Sequence, residues 1–262
     1  MAVDQANELA IDANDASLWA VTNQQLLKFD ASGNPLLQIN LSSLGLKEVR
    51  HLAADPYDSS LWLADEKKFV HLNSQGQLLG AWETSLSIQA IAVSLDQSLW
   101  LLGKKRLSHY SAQGVLLASQ NLQALVKPEP KFLAIDSIDS SSNRLWLAGE
   151  KQLLQFDPSN LTQPVLKITL PDVTSGITLD TNSGTLWLMD KQNLIAYTRD
   201  GAWLKTVDLK TLSIKEPQRL AYDPVSLSLW LGHKTGLSRL TTDGTPVITL
   251  LNAKTVQLSF LL

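Results

Sequence analysis

Short apolar runs of four or five residues, separated by clusters of Asp, Ser, Asn and Gly, follow one another along the chain. Runs of this length between turn residues predict short β-strands and not helices of 3.6-residue period. One set, such as Leu61–Ala64 (LWLA), is apolar at every position and must be covered on both faces. A second set alternates. Leu9/Ile11, Leu52/Ala54, Ile91/Val93, Leu133/Ile135, Ile177/Leu179 and Leu220/Tyr222 share one face, and Ala10, Ala53, Ala92, Ala134, Thr178 and Ala221 share the other. Small residues on one face suit inner strands crowded near an axis.

The runs recur in step. Trp19, Trp62, Trp100, Trp146, Trp187 and Trp230 each follow Leu, at spacings of 43, 38, 46, 41 and 43 residues. Counted from each Trp, position +7 is Leu26, Phe69, Leu107, Leu153, Leu194 or Leu237. Position +10 is Phe29, Leu72, Tyr110, Phe156, Tyr197 or Leu240. Position +14 is Gly33, Gly76, Gly114, Asn160, Gly201 or Gly244, which predicts a shared left-handed turn residue. Ahead of the Trp stands Asp12, Asp55, Asp136, Asp180 or Asp223, with Ser94 in the third repeat. These side chains are expected to cap their own turns.

Four strands per repeat, six times over, predict an all-β fold: a six-bladed β-propeller of four-stranded antiparallel blades, each Trp wedged between neighbours. A β-solenoid is the alternative, but its coil is much shorter than this period. The blades are expected over 7–41, 49–84, 88–122, 131–170, 175–209 and 217–251, within a single domain of residues 1–262. The segment 254–262 is a surplus strand. It caps or closes the ring, or the chain is part of a longer repeat protein.

Leu61–Leu79 (LWLADEKKFVHLNSQGQLL) and Leu186–Gly201 (LWLMDKQNLIAYTRDG) resemble the repeats of NHL-type propellers. The Leu-Trp-Leu core is also similar to propeller repeats of bacterial sensor and surface proteins. The NHL resemblance implies six blades and an RNA-binding role, but Glu66-Lys67-Lys68 stands where NHL repeats carry Asn-x-Arg. Sugar-lactonase propellers are a related resemblance, which implies a metal held by carboxylates and Asn inside the channel. The matching inner positions here are mostly Ala and aliphatic, so no metal ligand or catalytic residue is carried over.

Composition narrows the picture. The 262 residues are 44% hydrophobic, enough for a substantial core. No apolar run approaches the roughly 20 residues of a membrane span. Lys plus Arg is 22 against 25 for Asp plus Glu, a net charge of −3 that gives no bulk reason to expect nucleic acid. There is no Cys, hence no disulfide, thiolate metal site or cysteine nucleophile. With abundant Ser, Gln, Asn and Thr, a monomer in a bacterial envelope or extracellular setting is favoured.

Candidate chemistry lies in the loops. Turns between the first and second strands and between the third and fourth share one end of each blade and collect Asp. The opposite ends collect Lys and Arg, most densely at Lys104-Lys105-Arg106. Position +9 is Lys28, His71, His109, Gln155, Ala196 or Arg239 and reads as a solvated strand face. Glu8, His51 and Arg219 precede the first core residue of their inner strands, and are expected to converge at the channel mouth. Trp82 and Trp203 fall outside the repeat core, on the outer strands. The expected function is a non-catalytic binding or scaffold module for a protein or glycan partner, through Glu8, His51, Arg219, Lys104, Lys105 and Arg106, with no metal or cofactor. The alternative is a lactonase- or lyase-like enzyme at the channel mouth.

Overall fold

Twenty-four strands form six four-stranded antiparallel sheets in the computed structural model, which describes residues 8–126, 129–136, 143–234 and 236–251. The first blade is β1 (Glu8–Ile11), β2 (Leu18–Val21), β3 (Gln25–Phe29) and β4 (Pro35–Asn40). The second is β5 (His51–Ala54), β6 (Leu61–Ala64), β7 (Lys68–Leu72) and β8 (Leu78–Glu83). The third is β9 (Ile88–Val93), β10 (Leu99–Gly103), β11 (Arg106–Tyr110) and β12 (Leu116–Asn121). The fourth is β13 (Phe132–Asp136), β14 (Arg144–Ala148), β15 (Gln152–Phe156) and β16 (Leu166–Thr169). The fifth is β17 (Gly176–Leu179), β18 (Leu186–Met189), β19 (Asn193–Tyr197) and β20 (Trp203–Asp208). The sixth is β21 (Pro217–Asp223), β22 (Ser228–His233), β23 (Gly236–Thr241) and β24 (Pro246–Leu251). Each sheet keeps chain order, the meander of a six-bladed β-propeller. Two compact units divide the chain, one holding β1–β12 and the other β13–β24. The surplus strand expected over 254–262 lies outside the described residues.

In each unit the inner strands are neighbours, β1 with β5 and β5 with β9, then β13 with β17 and β17 with β21. The second strands β6, β10 and β18 are buried at every position. Their indoles fill the joints between blades. Trp19 packs with Leu61, Leu63 and Val70 of the second blade, and Trp62 with Leu99, Leu101 and Tyr110 of the third. Trp146 packs with Leu186 and Leu188, and Trp187 with Leu229 and Leu231. Burying large apolar side chains against the next sheet is the main favourable term at each joint.

The hairpins from third to fourth strand carry the +14 glycines at φ between +73° and +94°. Gly33 donates its N–H to the Asp30 carbonyl, and the ladder slips by one residue at Lys28/Phe29, a type I turn closed by a bulge. The same slip occurs in blades two, three, five and six. Blade four departs from expectation. Asn160 is not among the residues of positive φ, and β15 pairs with β16 without a slip. Its connection runs from Asp157 to Val165, long enough to turn without a left-handed residue.

The turn glycines also receive the preceding blade. A Cβ on Gly76 would strike Ile39, on Gly114 Trp82, on Gly201 Leu166, and on Gly244 Val207. Ile39, Trp82, Leu166 and Val207 all stand at +20 in their own repeats. Trp82 therefore occupies a repeat position after all. Trp203, by contrast, is 63% exposed.

Candidate functional site

The +9 slot is not the solvated face expected of it. Lys28, His71 and Gln155 are buried. Each lies across the ladder from the Trp of its own blade, and the imidazoles stack on the indoles: Trp62–His71 and Trp100–His109 centroids are both 4.0 Å apart, nearly parallel. Lys28 Nζ sits 5.0 Å from the Trp19 ring, and the Arg239 guanidinium 5.7 Å from Trp230. Ala196 is too short for this role. Lys205, its ladder partner on β20, covers Trp187 instead at 5.3 Å.

Beyond the indole four of these side chains reach the next blade. Lys28 Nζ donates to the Ser74 carbonyl, Gln155 Nε2 to that of Arg199, and Lys205 Nζ to that of Thr242. His71 hydrogen-bonds the Ala112 backbone. All four acceptors stand at +12 in their repeats. The slot is thus an inter-blade latch beneath the surface, and burial holds His71 and His109 below the ordinary imidazole pKa.

The Asp-rich ends of the blades serve folding in the same way. The turn caps expected of the Asp residues are present: Asp12 Oδ1 accepts the Asn14 N–H at 3.0 Å, Asp55 Oδ1 that of Tyr57 at 2.8 Å, and Asp180 Oδ1 that of Asn182 at 2.9 Å. Asp12, Asp55, Asp136 and Asp180 are buried. Three also take a partner from the next blade. Ser59 Oγ donates to Asp12, Arg199 pairs with Asp136, and the Tyr222 hydroxyl bonds Asp180. Burial, then that bond, pushes the Tyr222 phenol up to about 12. Asp55 differs in taking no hydrogen-bond or ion-pair partner from another blade among the described residues, and its Oδ2 has no hydrogen bond. Burial first, then the charges of Asp58 and Asp96, raise its carboxyl to about 6. An acidic surface at these ends is accordingly smaller than the count of Asp residues suggests.

Of the proposed rim residues, Glu8 and His51 open the neighbouring strands β1 and β5 of the first unit. Arg219 lies in the second unit, on β21 beside its register slip, and donates to the Gln218 carbonyl. The His51 ring is engaged by the backbone of Ile88 in the third blade, and desolvation holds it below the usual imidazole pKa. His51 thereby acts as a further inter-blade tie.

Lys104, Lys105 and Arg106 form the hairpin tip between β10 and β11. All three are exposed, and their side chains make no ion pair or hydrogen bond among the described residues. Some other cations at this end of the blades are tied down, Lys68 to the carbonyls of Leu44 and Gly45, Lys131 to Glu150, and Lys234 to Glu216, whereas Lys67 and Lys151 are, like this tip, exposed without a side-chain partner among the described residues. A second group, Lys191, Lys210 and Lys215, lines a cavity in the second unit. Nothing in the spacing of these lysines marks them as neighbours, since the path of the linker between blades five and six brings them together.

Among the described residues no helix is long and apolar enough to cross a membrane. In comparisons with known proteins, no family model matches the chain and no curated protein matches it significantly.

Proposed function

We propose that the chain is a non-catalytic binding module, NHL-like in its repeats, that presents loop surfaces of rigid blades to an acidic protein or glycan partner. The observation that carries this reading is the tip at Lys104, Lys105 and Arg106, three exposed cations without internal partners on a hairpin between two ladders. Adjacent free cations repel one another, and a partner of opposite charge relieves that repulsion while speeding encounter. Chemistry at Glu8, His51 and Arg219 is less well supported, because His51 is occupied by the Ile88 backbone.

Heparin serves as a sulfated glycan probe, with an acidic protein as second probe and single-stranded RNA as third. The wild-type chain is expected to be retained at low salt by one of the first two. Replacing Lys104, Lys105 and Arg106 together by Ala should shift elution to lower salt. Equal retention of wild type and variant would remove this tip from the binding surface, and preferential retention by RNA would favour the nucleic-acid role instead.

A further inference from the structure

The linker from the fifth blade to the sixth runs along the hairpin end of the fifth blade. Its start is fixed by the Leu209 N–H on the Gln192 carbonyl at 2.7 Å, and its end by the Lys234 N–H on that of Lys215 at 3.3 Å. Between them the Ser213 N–H bonds the Lys210 carbonyl and the Ile214 N–H that of Leu209, both at 3.0 Å. Linker and hairpin flank a half-open depression of about 320 Å³, at the small end of the range for small-molecule sites.

The charges lining it are unbalanced. Lys191, Lys210 and Lys215 are exposed, and none of the three side chains has a hydrogen-bond or ion-pair partner among the described residues. Glu216, the acid in the lining, is already paired with Lys234 at 2.7 Å. Three ammonium groups therefore share one concavity with no free counter-charge. The backbone beneath them is also costly. Ser213 and Glu216 hold left-handed conformations, at φ 59° and 49°, that side chains other than Gly rarely adopt. Strain of this kind persists where the surroundings enforce it, and it concentrates at ligand sites.

We propose that this cavity binds a small polyanion, a molecule presenting two or more phosphate or carboxylate charges to Lys191, Lys210 and Lys215. Ammonium groups on flexible stems suit a compact, multiply charged ligand better than a planar fork would. Exposure of the lysines makes the affinity modest and dependent on salt.

The test is an NMR titration of the full chain, labelled with nitrogen-15, using pyrophosphate in one arm and citrate in the other. Saturable shifts are expected at residues 191–192 and 209–216, with the stronger arm identifying phosphate or carboxylate as the preferred group. A variant with Lys191, Lys210 and Lys215 all changed to Gln should bind at least roughly tenfold more weakly, a loss of about 1.4 kcal/mol. A control variant with Lys47, Lys67 and Lys151 changed to Gln removes the same charge at exposed positions elsewhere and should bind as wild type. Lys210→Glu alone, with an unchanged spectrum away from the linker, provides a second reading with the fold intact. Equal weakening by both triple variants, or shifts that fail to saturate by about 10 mM ligand in both arms, would overturn the proposal.

Discussion

Replacing Asp55 by Asn is expected to stabilise the protein at neutral pH and to have little effect near pH 4. Asp55 is fully buried, and its Oδ1 accepts the Tyr57 N–H, but its Oδ2 has no hydrogen-bond partner among the described residues. Its carboxyl titrates at about 6 in the fold, against 3.8 when unperturbed. That difference corresponds to about 3 kcal/mol of penalty on the ionised form. The sign follows from the raised value: the folded state holds the proton more tightly, so the penalty is absent below pH 3.8. It grows as pH rises from 3.8 to about 6 and is complete above that. Asn keeps an acceptor for Tyr57 but accepts more weakly than a carboxylate, at a cost of about 1 kcal/mol. The net gain is therefore about 2 kcal/mol at pH 7.5, shrinking to nothing or a small loss by pH 4. Urea unfolding of both proteins, followed by tryptophan fluorescence at pH 7.5, 6, 5 and 4, measures the gap directly. A variant less stable than wild type at pH 7.5, or a gap that does not change with pH, would refute the reasoning.

The same substitution in the first blade should act in the opposite direction. Asp12→Asn removes one of two carboxylates beside the buried Lys28, at 4.0 Å, leaving Asp15 at 3.5 Å, and weakens the bonds accepted from Asn14 and Ser59, so it is expected to cost on the order of 1 kcal/mol in urea unfolding at pH 7. Gly33→Ala and Gly114→Ala separate backbone cost from packing. Both positions have positive φ, but a Cβ at Gly33 meets open space and one at Gly114 meets the Trp82 ring. The first should lose about 1 kcal/mol and the second about 3 kcal/mol, the excess being overpacking. Leu227, half exposed at φ 50°, should gain roughly 1 kcal/mol when changed to Gly, seen as a rise in the thermal midpoint. A fall in that midpoint would mean that the side chain stabilises more than its backbone costs.

The period of the Leu-Trp pairs made the blades legible, because a strand buried on both faces leaves no room for polar residues and so stands out. Polar slots were less transparent. Lys28, His71 and Gln155 look like surface residues in any hydropathy pattern, since sequence shows their polarity but not the indole that covers them. Trp82 seemed isolated as a tryptophan, and its slot emerges only beside Ile39, Leu166 and Val207, whose shared property is contact with a turn glycine. Asn160 has the residue type for a left-handed turn, yet a longer loop removed the need for one. The lysine cavity depends on how residues 209–216 are routed, and routing of a linker leaves no periodic trace.

The latches between blades end on the main chain at Ser74, Ala112, Arg199 and Thr242, whose side chains range from a methyl to a guanidinium. A joint that recognises only the peptide unit is indifferent to the side chain beside it. Mutation can therefore change most tip side chains without loosening one sheet from the next, the exceptions being Arg199, which also pairs with Asp136, and the turn glycines that receive the preceding blade. The repeats can drift apart in specificity while remaining interchangeable as building units.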